Sequence, residues 1–175
     1  MSLTFLIGGA RSGKSTLAVR LANAQDRPVT LIATAEARDD DMAARIARHR
    51  ADRPASWTTL EEPLALSDTV ASLAPDAFAI VDCLTLWVSN ALETDRSDDA
   101  ITDDGCRVAD ALAARAAPSV VVSNEVGLGI VPANALARRY RDVLGRVNAV
   151  VAGRADRSYL VVAGRALELR EVEPA

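Results

Sequence analysis

The chain has 175 residues, 50% of them hydrophobic and 25% charged, with a formal net charge of −4. That balance excludes a disordered polymer and describes one domain, residues 1–175, with a full-sized core. An acidic chain is a poor partner for a nucleic-acid backbone, and two cysteines, Cys83 and Cys106, are too few for a disulfide framework and fit a reducing compartment.

Apolar runs are short, far below the roughly 20 residues that span a bilayer. The N-terminus lacks a basic n-region before its first glycine turn. The expectation is a soluble cytoplasmic protein with no membrane segment and no nucleic-acid partner. Along the chain, strand-like runs at 3–7, 29–33, 77–81, 119–123 and 159–162, the last followed by 166–169, are continuously apolar, as strands covered on both faces are. Helical stretches lie between them at 14–24, 39–52, 64–73, 101–116 and 136–155. The alternation predicts an α/β sandwich of the P-loop, RecA-like kind, with a mostly parallel central sheet and helices on both faces. Residues 95–104, polar and acidic, read as an exposed loop.

The first strand runs into Gly8, Gly9, Ala10, Arg11, Ser12, Gly13, Lys14 and Ser15, a complete G-x-x-x-x-G-K-[ST] motif. At average residue usage it arises by chance in roughly one chain of this length in 150 to 200. Here a strand precedes it and a helix follows, as the motif requires. Glycines let successive N–H groups point at phosphate oxygens, and the helix N-terminus adds its dipole. Lys14 is placed to reach β- and γ-phosphates, and the Ser15 hydroxyl to coordinate Mg²⁺. Of the 20 basic residues 19 are arginine, and the single lysine falls on the one position that demands a compact ammonium. With Lys14 alone, an N-K-x-D guanine-binding element cannot exist, which disfavours a switch GTPase.

Such a site needs a carboxylate for the metal. Asp82 ends an apolar run, and strand C-terminal ends line the crevice of an open parallel sheet. It reads as a metal or ribose ligand, or else as the exposed start of the next loop. The only histidine, His49, closes a helix capped by Asp39, Asp40 and Asp41, with Met42 and Ile46 as its buried stripe and Asp41, Arg45 and His49 as a polar ladder. Arg45, Arg48, Arg50 and Arg53 surround it. Taken alone it is a surface histidine on a solvated basic helix, or a neutral nucleophile beside a counter-charge for a triphosphate.

Four blocks acquire meaning together: the Gly8–Ser15 loop, the helix leading to His49, Arg53-Pro54 with Trp57, and Asn124-Glu125-Val126-Gly127-Leu128-Gly129-Ile130-Val131-Pro132 continuing into Arg138, Arg141 and Asn148. Over nearly the whole chain they resemble the bifunctional adenosylcobinamide kinase/adenosylcobinamide-phosphate guanylyltransferase family of cobalamin biosynthesis. The resemblance implies phosphorylation of adenosylcobinamide by ATP or GTP, with Mg²⁺ held by Ser15 and Asp82. It implies next that His49 takes GMP from GTP and passes it to adenosylcobinamide phosphate, giving adenosyl-GDP-cobinamide. By matching position the nucleotide site comprises residues 8–15, Ala33, Thr34, Ala35, His49, Arg50, Ala51, Asp52, Glu61 and Asp82, with Lys14 and His49 catalytic and Glu62 an alternative to Glu61. The loop 127–132 is expected to contact the corrinoid or close over the site. The resemblance further implies a ring-like homo-oligomer, a trimer among the candidates. Two departures stand out: Arg48 replaces a second histidine common in the family, and Asp82 stands where some members have glutamate. Competing readings are a simple small-molecule kinase with an inert His49, and a nucleotide-sensing or assembly ATPase.

Overall fold

The computed structural model describes residues 3–51 and 53–171. In chain order the elements are β1 (Leu3–Gly8), α1 (Lys14–Asn23), β2 (Val29–Ala33), α2 (Asp40–Ala51), β3 (Thr58–Glu61), α3 (Leu66–Ala71), β4 (Phe78–Asp82), α4 (Leu84–Leu92), α5 (Asp98–Ala113), β5 (Ser119–Asn124), α6 (Ala135–Ala152), β6 (Arg157–Val162) and β7 (Arg165–Leu169). One seven-stranded sheet runs in the order β3-β2-β4-β5-β1-β6-β7. Every pairing is parallel except that of β7 with β6. The α/β sandwich expected from the alternation is present, and its parallel strands put their C-terminal ends along one edge.

Each face of the sheet carries its own core. On one side Leu6, Leu31, Phe78, Ile80, Val120 and Val122 pack with Ala18 and Ala22 of α1. On the other, Phe5, Val81 and Val121 meet Leu66, Trp87, Ile101, Leu112, Leu144 and Val147 from α3, α4, α5 and α6. Strands sandwiched in this way need no polar face, so β2 is buried at every position. Among the described residues no helix is long and apolar enough to cross a membrane.

Three local expectations are corrected. The acidic stretch 95–104 is not a loop, because α5 already begins at Asp98. Ser97 Oγ caps it by accepting from the Ala100 N–H at 3.2 Å, Asp98 and Asp99 occupy the first turn where negative charge is favoured, and Asp104 is buried between Arg96 and Arg107. Two elements fall where none was read. β3 is a four-residue edge strand, mostly exposed, with no apolar run to announce it. α4 is apolar nearly all round and short, so no helical stripe emerges from its sequence. Met42 and Ile46 of α2 are only half-buried, and no residue of that helix is buried.

Trp87 is fully buried, and its indole N–H donates to the Leu64 carbonyl at 3.0 Å, tying α4 to the chain entering α3. Trp87→Ala leaves both a cavity and an orphaned carbonyl. We expect it to lower unfolding free energy by about 3–5 kcal/mol, read from chemical denaturation monitored by far-UV circular dichroism.

Candidate active site

The loop between β1 and α1 takes its shape from two glycines and one arginine. Gly13 caps α1 at φ 102° with no side-chain cap, so the first N–H groups of the helix stay open to an anion. Arg11 also has a positive φ, 56°. Lys14 is only 6% exposed. Its ammonium donates to the Gly8 and Gly9 carbonyls at 2.9 and 2.7 Å and to Ser12 Oγ at 3.3 Å. Burial lowers its pKa from the ordinary lysine value, while the neighbouring Asp82 opposes that shift and Arg45 reinforces it. Arg45 of α2 is thus within electrostatic reach of the phosphate loop. It sits one helical turn from His49 on the same face, and His49 itself is half-buried in the last turn of α2.

Asp82 ends β4, beside Ala33 of β2 and Val122 of β5. The peptide that follows it is cis. Thr34 fixes this strand end: its hydroxyl donates to the Cys83 carbonyl at 2.6 Å and accepts from the Cys83 N–H at 2.9 Å. Asn90 in turn donates to the Thr34 carbonyl at 2.9 Å. Thr34 is fully buried; its side chain braces Cys83, and its N–H donates to the Asp82 carbonyl at 3.2 Å. Burial pushes the Cys83 thiol up to about 11, which keeps it a neutral packing group.

Around the chain returning from α2 lies a cleft of about 360 Å³ lined by Arg50, Arg53, Pro54, Ala55, Trp57, Thr59 and Glu61. Arg50 and Glu61 form an ion pair across it. Glu61 ends β3 in register with Ala33. Of the two glutamates, Glu62 is engaged by the backbone of the turn before α3, where its Oε1 accepts from the Leu64 and Ala65 N–H groups at 2.8 and 2.7 Å. Glu61 lines the cleft. Arg53 is half-buried, its pKa lowered by burial and, less, by Arg50, with Asp82 acting the other way. The segment after α2 therefore bends back toward Asp82. Ala35 lies in the segment between β2 and α2, Ala51 is the last residue of α2, and Asp52 lies outside the described residues.

So the structure gathers residues 8–15, Asp82, Arg45 and Arg53 at one centre, and Arg50 with Glu61 in the adjoining cleft. It does not line that cleft with His49. The placement of Arg53 was illegible in sequence because it depends on β3, the strand that the pattern did not reveal. Beyond β5, the Glu125 N–H donates to the Gly8 carbonyl at 3.2 Å. Arg138 is structural, donating to the Pro132 and Ala133 carbonyls at 2.9 and 2.6 Å. Between these anchors Leu128, Ile130 and Val131 are largely exposed.

Comparison with known structures places the fold: the chain aligns with an ATPase of the type III secretion system of pathogenic bacteria (TM-score 0.60, 14% identity, 91% of this chain and 50% of that one). It also aligns with the RadB recombinase (TM-score 0.53, 16% identity, 91% and 73%). In sequence it is 48% identical to the bifunctional adenosylcobalamin biosynthesis protein CobP of Pseudomonas aeruginosa, over 94% of this chain and 95% of that protein. It is 41% identical to the protein CobU of Salmonella typhimurium, over 96% and 99%. Residues 4–169 match the cobinamide kinase/cobinamide phosphate guanyltransferase family. With nearly its whole length accounted for, the chain belongs to that family of bifunctional enzymes.

Proposed function

We propose that the protein phosphorylates the aminopropanol hydroxyl of adenosylcobinamide with ATP or GTP, then transfers GMP from GTP through His49 to the resulting phosphate. The observation that carries this reading is the convergence of a buried P-loop lysine and an arginine-rich helix, bearing the only histidine, on one edge of the sheet.

In the first reaction the substrate hydroxyl attacks the γ-phosphorus, and nucleoside diphosphate leaves. The loop N–H groups and Lys14 hold the β- and γ-oxygens, with phosphate replacing the loop carbonyls as partners of the ammonium. Ser15 Oγ and the Asp82 carboxylate are hard oxygen donors suited to Mg²⁺, which commonly takes one or two protein ligands and completes its shell with phosphate and water. Bound there, Mg²⁺ would neutralise charge on the β- and γ-oxygens. In the second reaction an imidazole nitrogen of His49 attacks the α-phosphorus: a P–N bond forms, the α–β P–O bond breaks, and pyrophosphate departs. A phosphate oxygen of adenosylcobinamide phosphate then attacks the same phosphorus, the P–N bond breaks, and imidazole is restored. Arg45, Arg50 and Arg53 supply the positive charge against which pyrophosphate develops. Glu61 offers a carboxylate to guanine N–H donors or ribose hydroxyls. Leu128, Ile130 and Val131 offer an apolar surface for the corrinoid beside the loop.

Lys14→Ala is expected to lower the cobinamide kinase rate by about 10²–10³, measured by transfer of γ-label from ATP. Incubation with GTP labelled at the α-phosphate should leave an acid-labile, base-stable label on wild-type protein and none on His49→Ala, with the kinase step retained. Absence of label on the wild type would leave a simple kinase with a passive histidine.

A further inference from the structure

The β6–β7 connection is a two-residue hairpin whose central residues, Ala163 and Gly164, both have positive φ, 50° and 74°, as a tight turn of this hand requires. It rests directly on the phosphate loop. The Gly164 N–H donates to the Ser12 carbonyl at 2.8 Å, and a Cβ on Gly13 would lie 3.2 Å from Gly164 Cα. A Cβ on Gly8 would meet the Val161 carbonyl at 2.2 Å, so the hairpin and the loop touch backbone to backbone.

This contact lies on a definite flank. Asp82 is on β4, reached from β1 across β5, whereas β6 adjoins β1 on the opposite side. A triphosphate poised for γ-transfer has its γ-end toward Lys14 and the metal-binding side at Asp82. Its α-phosphate and nucleoside then point the other way, over the hairpin. The Arg50–Glu61 cleft cannot receive that nucleoside in the same pose, because β3 stands four strand spacings from β1, about 19 Å. The hairpin is one spacing away, about 5 Å.

We infer that the β6–β7 turn is a second nucleoside subsite, which holds the base and ribose of the phosphoryl donor. Val162 and Arg165 are cross-strand partners that bracket the turn, and both are exposed. An aliphatic side chain and a planar guanidinium engage a nucleobase by its face. They read no edge pattern, so adenine and guanine are accepted alike. The two reactions then use one phosphate loop with the nucleoside on opposite flanks. The assignment rests on the reading of the loop as a phosphoryl-donor site, and binding tests it without any turnover.

The test compares the full-length protein with Val162→Ala/Arg165→Ala, titrated by calorimetry with Mg²⁺ and either the ATP analogue AMP-PNP or inorganic tripolyphosphate. The subsite predicts AMP-PNP binding weakened about tenfold, the loss expected from a stacked cation–base contact, with tripolyphosphate binding unchanged. Unchanged binding of both ligands overturns the subsite. Equal weakening of both also overturns it, since the hairpin would then only prop the loop.

Discussion

A buried ammonium governs the centre of this molecule. Lys14 is withdrawn from water, and a lysine so placed must be surrounded by oxygen or lose its charge. The loop carbonyls of Gly8 and Gly9 and the Ser12 hydroxyl provide that surround, and they do so only because the backbone doubles back at Gly13. The hairpin behind the loop, the α1 dipole and the Asp82 strand end are all arranged about this one charge. A triphosphate is the natural competitor for it, because phosphate oxygens are stronger acceptors than peptide carbonyls.

Much of this centre was legible because it is local in sequence. The phosphate motif, the strand before it and the helix after it occupy consecutive residues, and Asp82 follows a run so apolar that its burial was forced. Where a conclusion depended on pairing, the sequence was mute. Glu61 and Glu62 differ in which carboxylate lines the cleft and which is held by the Leu64 and Ala65 N–H groups, a fact of three-dimensional geometry. The acidic residues from Asp98 onward looked solvated, yet they form a favourable first turn, and Asp104 is drawn inward by two arginines. The family resemblance supplied His49 a role that its surroundings alone leave open between nucleophile and surface residue.

The helix that carries His49 is built differently from its neighbours. It buries none of its residues, and its attachments are polar and terminal. Before it, Arg38 reaches Glu36, Glu93 and Asn90; just ahead of its first turn Asp39 Oδ1 accepts from the Met42 N–H at 2.7 Å; at its end Arg50 meets Glu61. A segment with few buried apolar contacts opens at low free energy. Exposed ion pairs hold it weakly and are screened by salt. Under the function proposed above, those properties suit a helix whose histidine approaches a nucleotide in one reaction and stands clear of it in the other.

The position of β5 has a consequence of its own. By intervening between β1 and β4, it acts as a gauge block of fixed thickness, keeping the backbone of the strand that leads into the loop and the backbone of the Asp82 strand two strand spacings apart, about 10 Å. Only side chains and what they bind can bridge the crevice between those backbones. The gap is preserved by main-chain pairing on both sides of β5, and so its width is a property of the sheet and survives changes in the side chains that line it.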